Sequence, residues 1–301
     1  MAIVFDGNAF AAKRLETLKE RVRVLGKKPM LVSVVFAEDS MGMLYTKLKA
    51  QAASEIGIGF EKVELRYHDS IHDSKENIGT LGKRAEVDGM LVQKPNKKQY
   101  LEWILNRVSD DIIAYEEWWE EIASAIDPKK DVDCLTRDNL DKVYRGEGEF
   151  LPATARAVVS ILEALLRPGE LRTGEAGGGT LEHLKGKKIA MVGRSELVGK
   201  PLAFYLQYKG ARVQILGSKD KLIDRLPQSE IIISATGQAG LITGDMVNEG
   251  ITVIDVGEPR GDVDFASVLP KASFITPVPG GVGPVTVVSL LENLLDMRKY
   301  N

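Results

Sequence analysis

The 301-residue sequence predicts an α/β fold in two domains, the second a doubly wound parallel sheet. Three observations carry this. Ile189 to Val192 is a short apolar run of the kind that fills a buried parallel strand. Gly193 and Gly199 then bracket a turn before a helix-compatible segment. Further apolar strands, Ala211 to Leu216, Ile231 to Ser234 and Ile251 to Val256, recur at roughly twenty-residue intervals, the rhythm of a doubly wound nucleotide-binding sheet. A strand, a glycine turn and a helix N-terminus make an anion site, because unpaired N–H groups point outward and the helix dipole favours a phosphate. The spacing from Gly193 to Gly199 departs from the common dinucleotide fingerprint, so the strands that follow carry the reading.

The length suffices for two ordinary domains and is too great for a minimal disulfide-stapled fold. The single cysteine, Cys134, excludes an intramolecular disulfide. No arginine-rich leader precedes an apolar run and no stretch approaches a membrane span, so no membrane partner and a cytoplasmic location are expected. A net charge of −3 and a pI near 5.8 argue against nucleic acid as a partner. His68, His72 and His183 are not paired at metal-ligand spacing, so neither a metal site nor a Ser–His–Asp triad is expected.

From the N-terminus, residues 9–25 carry apolar side chains at helical spacing, stopped by Gly26. Leu31 to Ala37 reads as a buried strand, and Gly42 to Ile56 as a helix stopped by Gly57. That helix puts Tyr45 and Lys49 on one face. Glu61 to Tyr67 alternates as a half-exposed edge strand does. Gly89 to Gln93 is a third strand ending in a polar residue, and the carboxyl ends of strands line the ligand crevice of an open α/β sheet. Ile112, Tyr115, Trp119, Ile122 and Ile126 predict an amphipathic helix with Glu116, Glu117, Glu120 and Glu121 on its wet side. This Trp-rich insertion, residues 100–126, reads as a helix packed over the domain's edge, with a partner-binding helix as the alternative.

Asp127 to Asp133 is a turn-rich connector bearing Asp131 and Asp133. Ala155 to Leu166 marks a helix joining the halves, and Arg167 to Leu184, with Gly177 to Gly179, is an aperiodic loop. Thr276 to Pro284 is rich in proline and glycine, a rigid, side-chain-poor loop that lets backbone approach a flat ligand. Val285 to Leu295 closes the chain as an apolar helix.

Five separated patterns coincide: Tyr45-x3-Lys49, Val92-Gln93-x-Pro95, Lys130-Asp131-Val132-Asp133, Gly193-Arg194-Ser195-x2-Val198-Gly199-x-Pro201, and Thr276 to Pro284. Together they resemble the methylenetetrahydrofolate dehydrogenase/cyclohydrolase family, the bifunctional FolD-type enzymes, from about Asp6 to Asn293. The resemblance implies an N-terminal α/β catalytic domain, a Rossmann-type cofactor domain, a cleft between them, a closing helix that returns to the first domain, and a homodimer. The expected ranges are 1–148 with 280–301 for the folate-binding domain and 149–279 for the cofactor domain. It implies that Lys49 is the catalytic lysine, Gln93 its hydrogen-bond partner, Tyr45 the ring that stacks on the folate, and Asp133 the carboxylate that holds the pterin. Pro277, Val278, Pro279, Gly280 and Gly281 would form another wall of the folate site. Gly193, Arg194, Ser195, Gly199, Ser218, Thr236 and Gly237 would bind the cofactor.

The chemistry suits these residues. Hydride departure from a methylene carbon between two nitrogens is assisted by a nitrogen lone pair, so positioning is enough. Hydrolysis of the methenyl cation needs proton transfers, which a lysine kept partly neutral by burial and a cationic substrate can perform. A carboxylate suits the donor edge of a pterin, where two parallel hydrogen bonds form. Taken singly, Tyr45 and Lys49 read as a surface pair, Gln93 as a strand end facing water, Asp131 and Asp133 as turn formers, and Arg194 as the partner of a structural carboxylate. Their joint occurrence favours catalysis.

The pattern also departs from the family's. Gly42 stands where a serine is usual, Gln93-Lys94-Pro95-Asn96-Lys97 replaces a more apolar run, Cys134 replaces a glycine, and Pro152 to Ala155 lacks the usual cysteine and second proline. The second cofactor-domain strand ends Leu216-Gly217-Ser218-Lys219, with no acid until Asp220, so NADP is expected over NAD. Lys94, Lys97 and Lys98 read as a solvated basic turn, with a polyglutamate tail as the alternative. The rival functions are a dehydrogenase with little cyclohydrolase activity and a non-catalytic nucleotide-binding regulator.

Overall fold

The computed structural model describes residues 2–105, 114–148, 150–165 and 181–298. The chain divides into two compact units, Met1–Glu16 with Lys142–Ser289 and Thr17–Asp141 with Leu290–Asn301. The chain opens with strand β1 (Ile3–Val4) and helix α1 (Gly7–Arg23). The smaller unit is then built from β2 (Met30–Phe36), α2 (Ser40–Glu55), β3 (Gly59–Leu65), α3 (Ile71–Lys83), β4 (Gly89–Val92), α4 (Lys97–Leu105) and α5 (Tyr115–Ala123). Its sheet runs β3-β2-β4, all parallel. The central strand β2 is buried almost throughout, which is why it reads as an unbroken apolar run, and the edge strand β3 alternates. Helix α2 ends where Gly57 turns left-handed at φ +84.

The expected amphipathic helix is α5. Tyr115, Trp119 and Ile122 are buried, and the four glutamates are exposed. Ile112 lies outside the described residues, Ile126 follows the helix as a buried residue, and Trp118 joins the inner face unforeseen. Trp118 lies 4.5 Å from the Tyr100 ring and 5.1 Å from Phe36, and Tyr67 lies 5.3 Å from Phe36. Phe36 closes β2 and Tyr67 follows β3, so this aromatic cluster covers the carboxyl ends of the small sheet. Where it is described, the insertion therefore packs through α4 and α5 on its own unit's edge.

Helices α6 (Arg137–Tyr144) and α7 (Ala153–Leu165) lead into the larger unit. There follow β5 (Lys188–Val192), α8 (Gly199–Tyr208), β6 (Arg212–Leu216), α9 (Leu222–Arg225), β7 (Ile231–Ser234), β8 (Ile251–Asp255), α10 (Phe265–Val268), β9 (Ala272–Ile275) and α11 (Val282–Met297). Its parallel sheet runs β1-β9-β8-β7-β5-β6. The order reverses at β5, so the topological switch point lies beyond the carboxyl ends of β5 and β7. Val192, Leu216, Ile232, Val253 and Ile275 fill one core. Most of the aperiodic loop expected over Arg167 to Leu184 falls outside the described residues; its end, Leu181–Leu184, is a short 3-10 turn.

The unit boundaries differ from the ranges 1–148 with 280–301 and 149–279: residues up to Glu16, from Lys142 to Gly148 and from Gly280 to Ser289 fall with the large sheet. Strand β1 pairs with β9, Phe5 packs 5.4 Å from Phe10 and 5.7 Å from Phe274, and the Gly7 N–H donates to the Gly280 carbonyl at 2.9 Å. Neither β1 nor β9 is visible as a strand in the sequence pattern.

Replacing Trp118 by alanine removes the ring at the centre of the aromatic cluster. The expected loss is about 3–5 kcal/mol, read as a lower urea midpoint by circular dichroism; an unchanged midpoint would show that the cluster contributes no packing energy.

Candidate active site

In the smaller unit, α2 carries Tyr45, half-buried, and one turn later Lys49, only 7% exposed. Lys49 Nζ donates to Gln93 Oε1 at 2.6 Å. The Gln93 N–H donates to the Val34 carbonyl at 2.8 Å, which continues the β4 pairing one residue past the strand and sets the amide at its carboxyl end. The expected lysine–glutamine pair is thus made by a helix face and a strand tip.

The two connector carboxylates separate into different tasks. Asp131 is 1% exposed and accepts from the N–H groups of Leu135 and Thr136 at 2.9 and 2.8 Å, from Thr136 Oγ1 at 2.7 Å and from Asn139 Nδ2 at 3.1 Å. It is the turn former. Asp133 is half-buried, and the parallel bridge between Met90 and Asp131 brings this segment along β4, the strand that ends at Gln93. Asn293 Nδ2 on α11 donates to the Val132 carbonyl at 2.8 Å and fastens the turn. Cys134, in place of the usual glycine, is buried at φ 51, the left-handed region that glycine adopts most easily.

The basic turn after Gln93 is engaged. Lys94 and Lys97 contact Glu116 at 3.4 and 3.0 Å, and Lys94 Nζ lies 5.3 and 5.2 Å from the Tyr115 and Trp119 ring centres. Burial opposes ionisation of Glu116, yet Lys97 and Lys94 hold its carboxyl below the usual range. The Tyr115 hydroxyl donates to the Pro95 carbonyl.

In the larger unit, Gly193 (φ +110) follows β5, and a Cβ there would collide with the Ala235 carbonyl after β7. A Cβ on Gly199 would collide with the Gly193 carbonyl. Both glycines are therefore required by close backbone approach at the switch point, and the N-terminus of α8 opens there. Ser195 Oγ accepts from the Gly199 N–H at 3.2 Å. The Arg194 guanidinium lies against Gly217, beyond the end of β6, where a Cβ would strike it. Ser218 follows directly, and Asp220 Oδ2 accepts from the Gly217 N–H at 2.7 Å and lies 4.0 Å from Arg194 Nη2. Arg194 keeps 58% of its side chain exposed with Asp220 at that distance, so the carboxylate pairing expected of it singly is present at its longest reach.

Thr236 and Gly237 lie just past β7, Gly237 at φ +69. The structure adds a residue the sequence did not single out: Asp262, fully buried, accepts from Ser234 Oγ at 2.8 Å and from the Thr236 N–H at 2.6 Å. Its backbone N–H donates in turn to Asp255 Oδ1 at 3.0 Å. Burial pushes the Asp255 carboxyl up, while the N–H groups of Val263, Gly257 and Asp262 work the other way. The clue in the sequence is a carboxylate ending an apolar strand at Asp255, followed by Gly261-Asp262. In the Pro277 to Gly281 loop, which belongs to this unit, Gly280 is at φ +94 and a Cβ on Gly281 would collide with the Pro277 carbonyl.

A doubly wound sheet with a glycine-lined switch point defines a dinucleotide-binding α/β enzyme, and the pair of buried Lys49 and half-buried Gln93 supplies a candidate proton-transfer group. Residues 5–111 match the model of the tetrahydrofolate dehydrogenase/cyclohydrolase catalytic domain, and residues 179–301 match that family's NAD(P)-binding domain. A bifunctional FolD protein of Methanoculleus marisnigri is 34% identical over 305 residues, 99% of this chain and 96% of that protein. One from Lactobacillus delbrueckii is 35% identical, covering 99% and 98%. The crystal structure of the Campylobacter jejuni bifunctional FolD enzyme matches with a TM-score of 0.84 at 33% identity, over 100% of this chain and 99% of that one. The Trypanosoma brucei enzyme, solved with NADP and an inhibitor, matches with a TM-score of 0.81 at 30% identity over 99% and 98%. The chain belongs to the tetrahydrofolate dehydrogenase/cyclohydrolase family.

Proposed function

We propose that the protein oxidises 5,10-methylenetetrahydrofolate to the 5,10-methenyl form with NADP and hydrolyses that product to 10-formyltetrahydrofolate. Both activities are those of the family. The observation that carries the second is the bond from the buried Lys49 amine to the Gln93 amide oxygen at 2.6 Å. A neutral amide accepts from either form of the amine, so it orients the nitrogen while the proton comes and goes. Burial and a cationic substrate both favour the neutral amine, which takes a proton from attacking water and returns one to the ring nitrogen. Tyr45 stacks on the folate, Asp133 holds the pterin's donor edge, and Pro277, Val278, Pro279, Gly280 and Gly281 give it a backbone surface.

NADP, when bound, supplies the hydride acceptor. Gly193, Ser195, Gly199, Thr236 and Gly237 shape the crevice for its phosphates and ribose. Arg194, with Ser218 and Lys219, faces the 2′-phosphate, because the guanidinium lies where the second strand ends and the nearest carboxylate, Asp220, is tied to the Gly217 N–H. The two rivals gain no support. Lys49 and Gln93 keep their bond despite Gly42, and Trp118 and Trp119 are buried in their own unit rather than presented to a partner. Among the described residues no helix is long and apolar enough to cross a membrane. The resemblance supports a cytoplasmic homodimer; sedimentation at the mass of a 33.0 kDa monomer would overturn the oligomeric part.

Lys49→Met is expected to slow methenyltetrahydrofolate hydrolysis, followed at its own absorbance, by about a hundredfold or more. An unchanged rate would refute the proton-transfer role. Arg194→Ala is expected to lower kcat/KM for NADP by about tenfold or more, with a much smaller change for NAD; an equal fall with both cofactors would remove Arg194 from 2′-phosphate recognition.

A further inference from the structure

The hydroxyl expected three residues before Tyr45 is missing, and the structure shows what takes its place. A Cβ built on Gly42 would collide with Asp39 Oδ2, and would stand 2.9 Å from Asp39 Cγ and 3.0 Å from Gln93 Cγ. Position 42 is therefore bare because the Asp39 carboxyl and the Gln93 side chain share the volume a larger residue would fill. Asp39 sits on the turn between β2 and α2, its N–H donating to the Phe36 carbonyl and its own carbonyl accepting from Met43, both at 2.9 Å. It is 2% exposed, and among the described residues its Oδ1 has no hydrogen-bond partner. Burial pushes the carboxyl up, partly offset by the N–H groups of Gly42 and Met41. Tyr67 and Tyr115 feel its charge: after burial, the Asp39 carboxylate is among the causes that raise each phenol.

A glutamine amide has an oxygen end and an NH2 end, and only the oxygen can receive the Lys49 donor. The NH2 end then needs an acceptor, and a buried acceptor without a partner needs a donor. We propose that Asp39 is a positioning residue for the hydrolytic reaction: its carboxylate attracts the Gln93 NH2 end and repels the oxygen, so that Oε1 stays turned toward Lys49. Gly42 is the partner that makes room for it. The proposal rests on the proton-transfer role given to Lys49.

The test compares hydrolysis with dehydrogenation in the same preparations. Asn at position 39 keeps the shape but presents both an oxygen and an NH2, so it no longer selects one orientation of Gln93. Asp39→Asn is expected to lower the ratio of hydrolytic to dehydrogenase kcat about tenfold, the scale of one charge–amide interaction, with the folate KM within about twofold. Gly42→Ala displaces the same carboxyl and is expected to give the same selective loss. The double variant should be little worse than either single one, because both act through the same carboxyl. Should Gly42→Ala fail to fold, the isosteric Asp39→Asn decides alone. Parallel loss of both activities, or an unchanged ratio, would overturn the role of Asp39. If Lys49→Met abolishes hydrolysis while Asp39→Asn leaves the ratio intact, only this inference falls; if Lys49→Met leaves hydrolysis intact, both readings fall.

Discussion

A lysine amine withdrawn from water is the constraint on which the smaller unit depends. Isolated burial of an ammonium is costly, and pairing it with a carboxylate would lock the proton on. At Lys49 the structure places a neutral amide 2.6 Å away, an acceptor that serves either protonation state. That arrangement holds only if the helix face and the strand tip keep their registration. The Asp39 turn begins the helix, Gly57 ends it, and the Gln93 N–H bond to Val34 prolongs β4 by one residue.

A three-stranded sheet is a small platform for such a pair, and its carboxyl edge would stand open without a cover. The aromatic insertion supplies one. Phe36 and Tyr67, at the ends of β2 and β3, pack against Tyr100 and Trp118. The Tyr115 hydroxyl bonds the Pro95 carbonyl two residues beyond Gln93, and Glu116 gathers Lys94 and Lys97. The changed sequence after Gln93 and the added helices thus act as one device: the run that lost its apolar residues is fastened from outside by rings and one carboxylate.

What the sequence reveals follows what is buried. Ile231 to Ser234 matches its strand residue for residue, because a central parallel strand is apolar on both faces. Helix α3 left no pattern: of its thirteen residues only Ser74, Ile78 and Gly82 are buried, too few to draw a stripe. Strand β1 is two exposed residues whose only signal is their partner β9, 271 positions away (Ile3 against Phe274). The site divides the same way. Lys49 and Gln93 are legible as members of a spaced set, and the structure joins them. Asp131 and Asp133 look alike in sequence, and only the hydrogen-bond pattern separates turn former from half-buried carboxylate. Asp39 and Asp262 were illegible because each acts on a residue brought near by folding.

The larger unit solves a different problem, that of bringing two loops within backbone contact at one point. Gly193 and Gly199 remove the side chains that would forbid it, but removal alone leaves the loops free to wander. Asp262 supplies the restraint, taking the Ser234 hydroxyl and the Thr236 N–H on one oxygen while Asp255 holds the Asp262 backbone. Asp255 accepts from three N–H groups, and Asp262 from a hydroxyl and an N–H, so these two buried carboxylates are stabilised by hydrogen-bond donors. Positive charge stands at the rim, on Arg194 over Gly217. On the reading proposed above, an anion in the crevice would meet helix and loop N–H groups at its centre and the Arg194 guanidinium at the ribose edge, a distribution that would separate a 2′-phosphate from a bare hydroxyl.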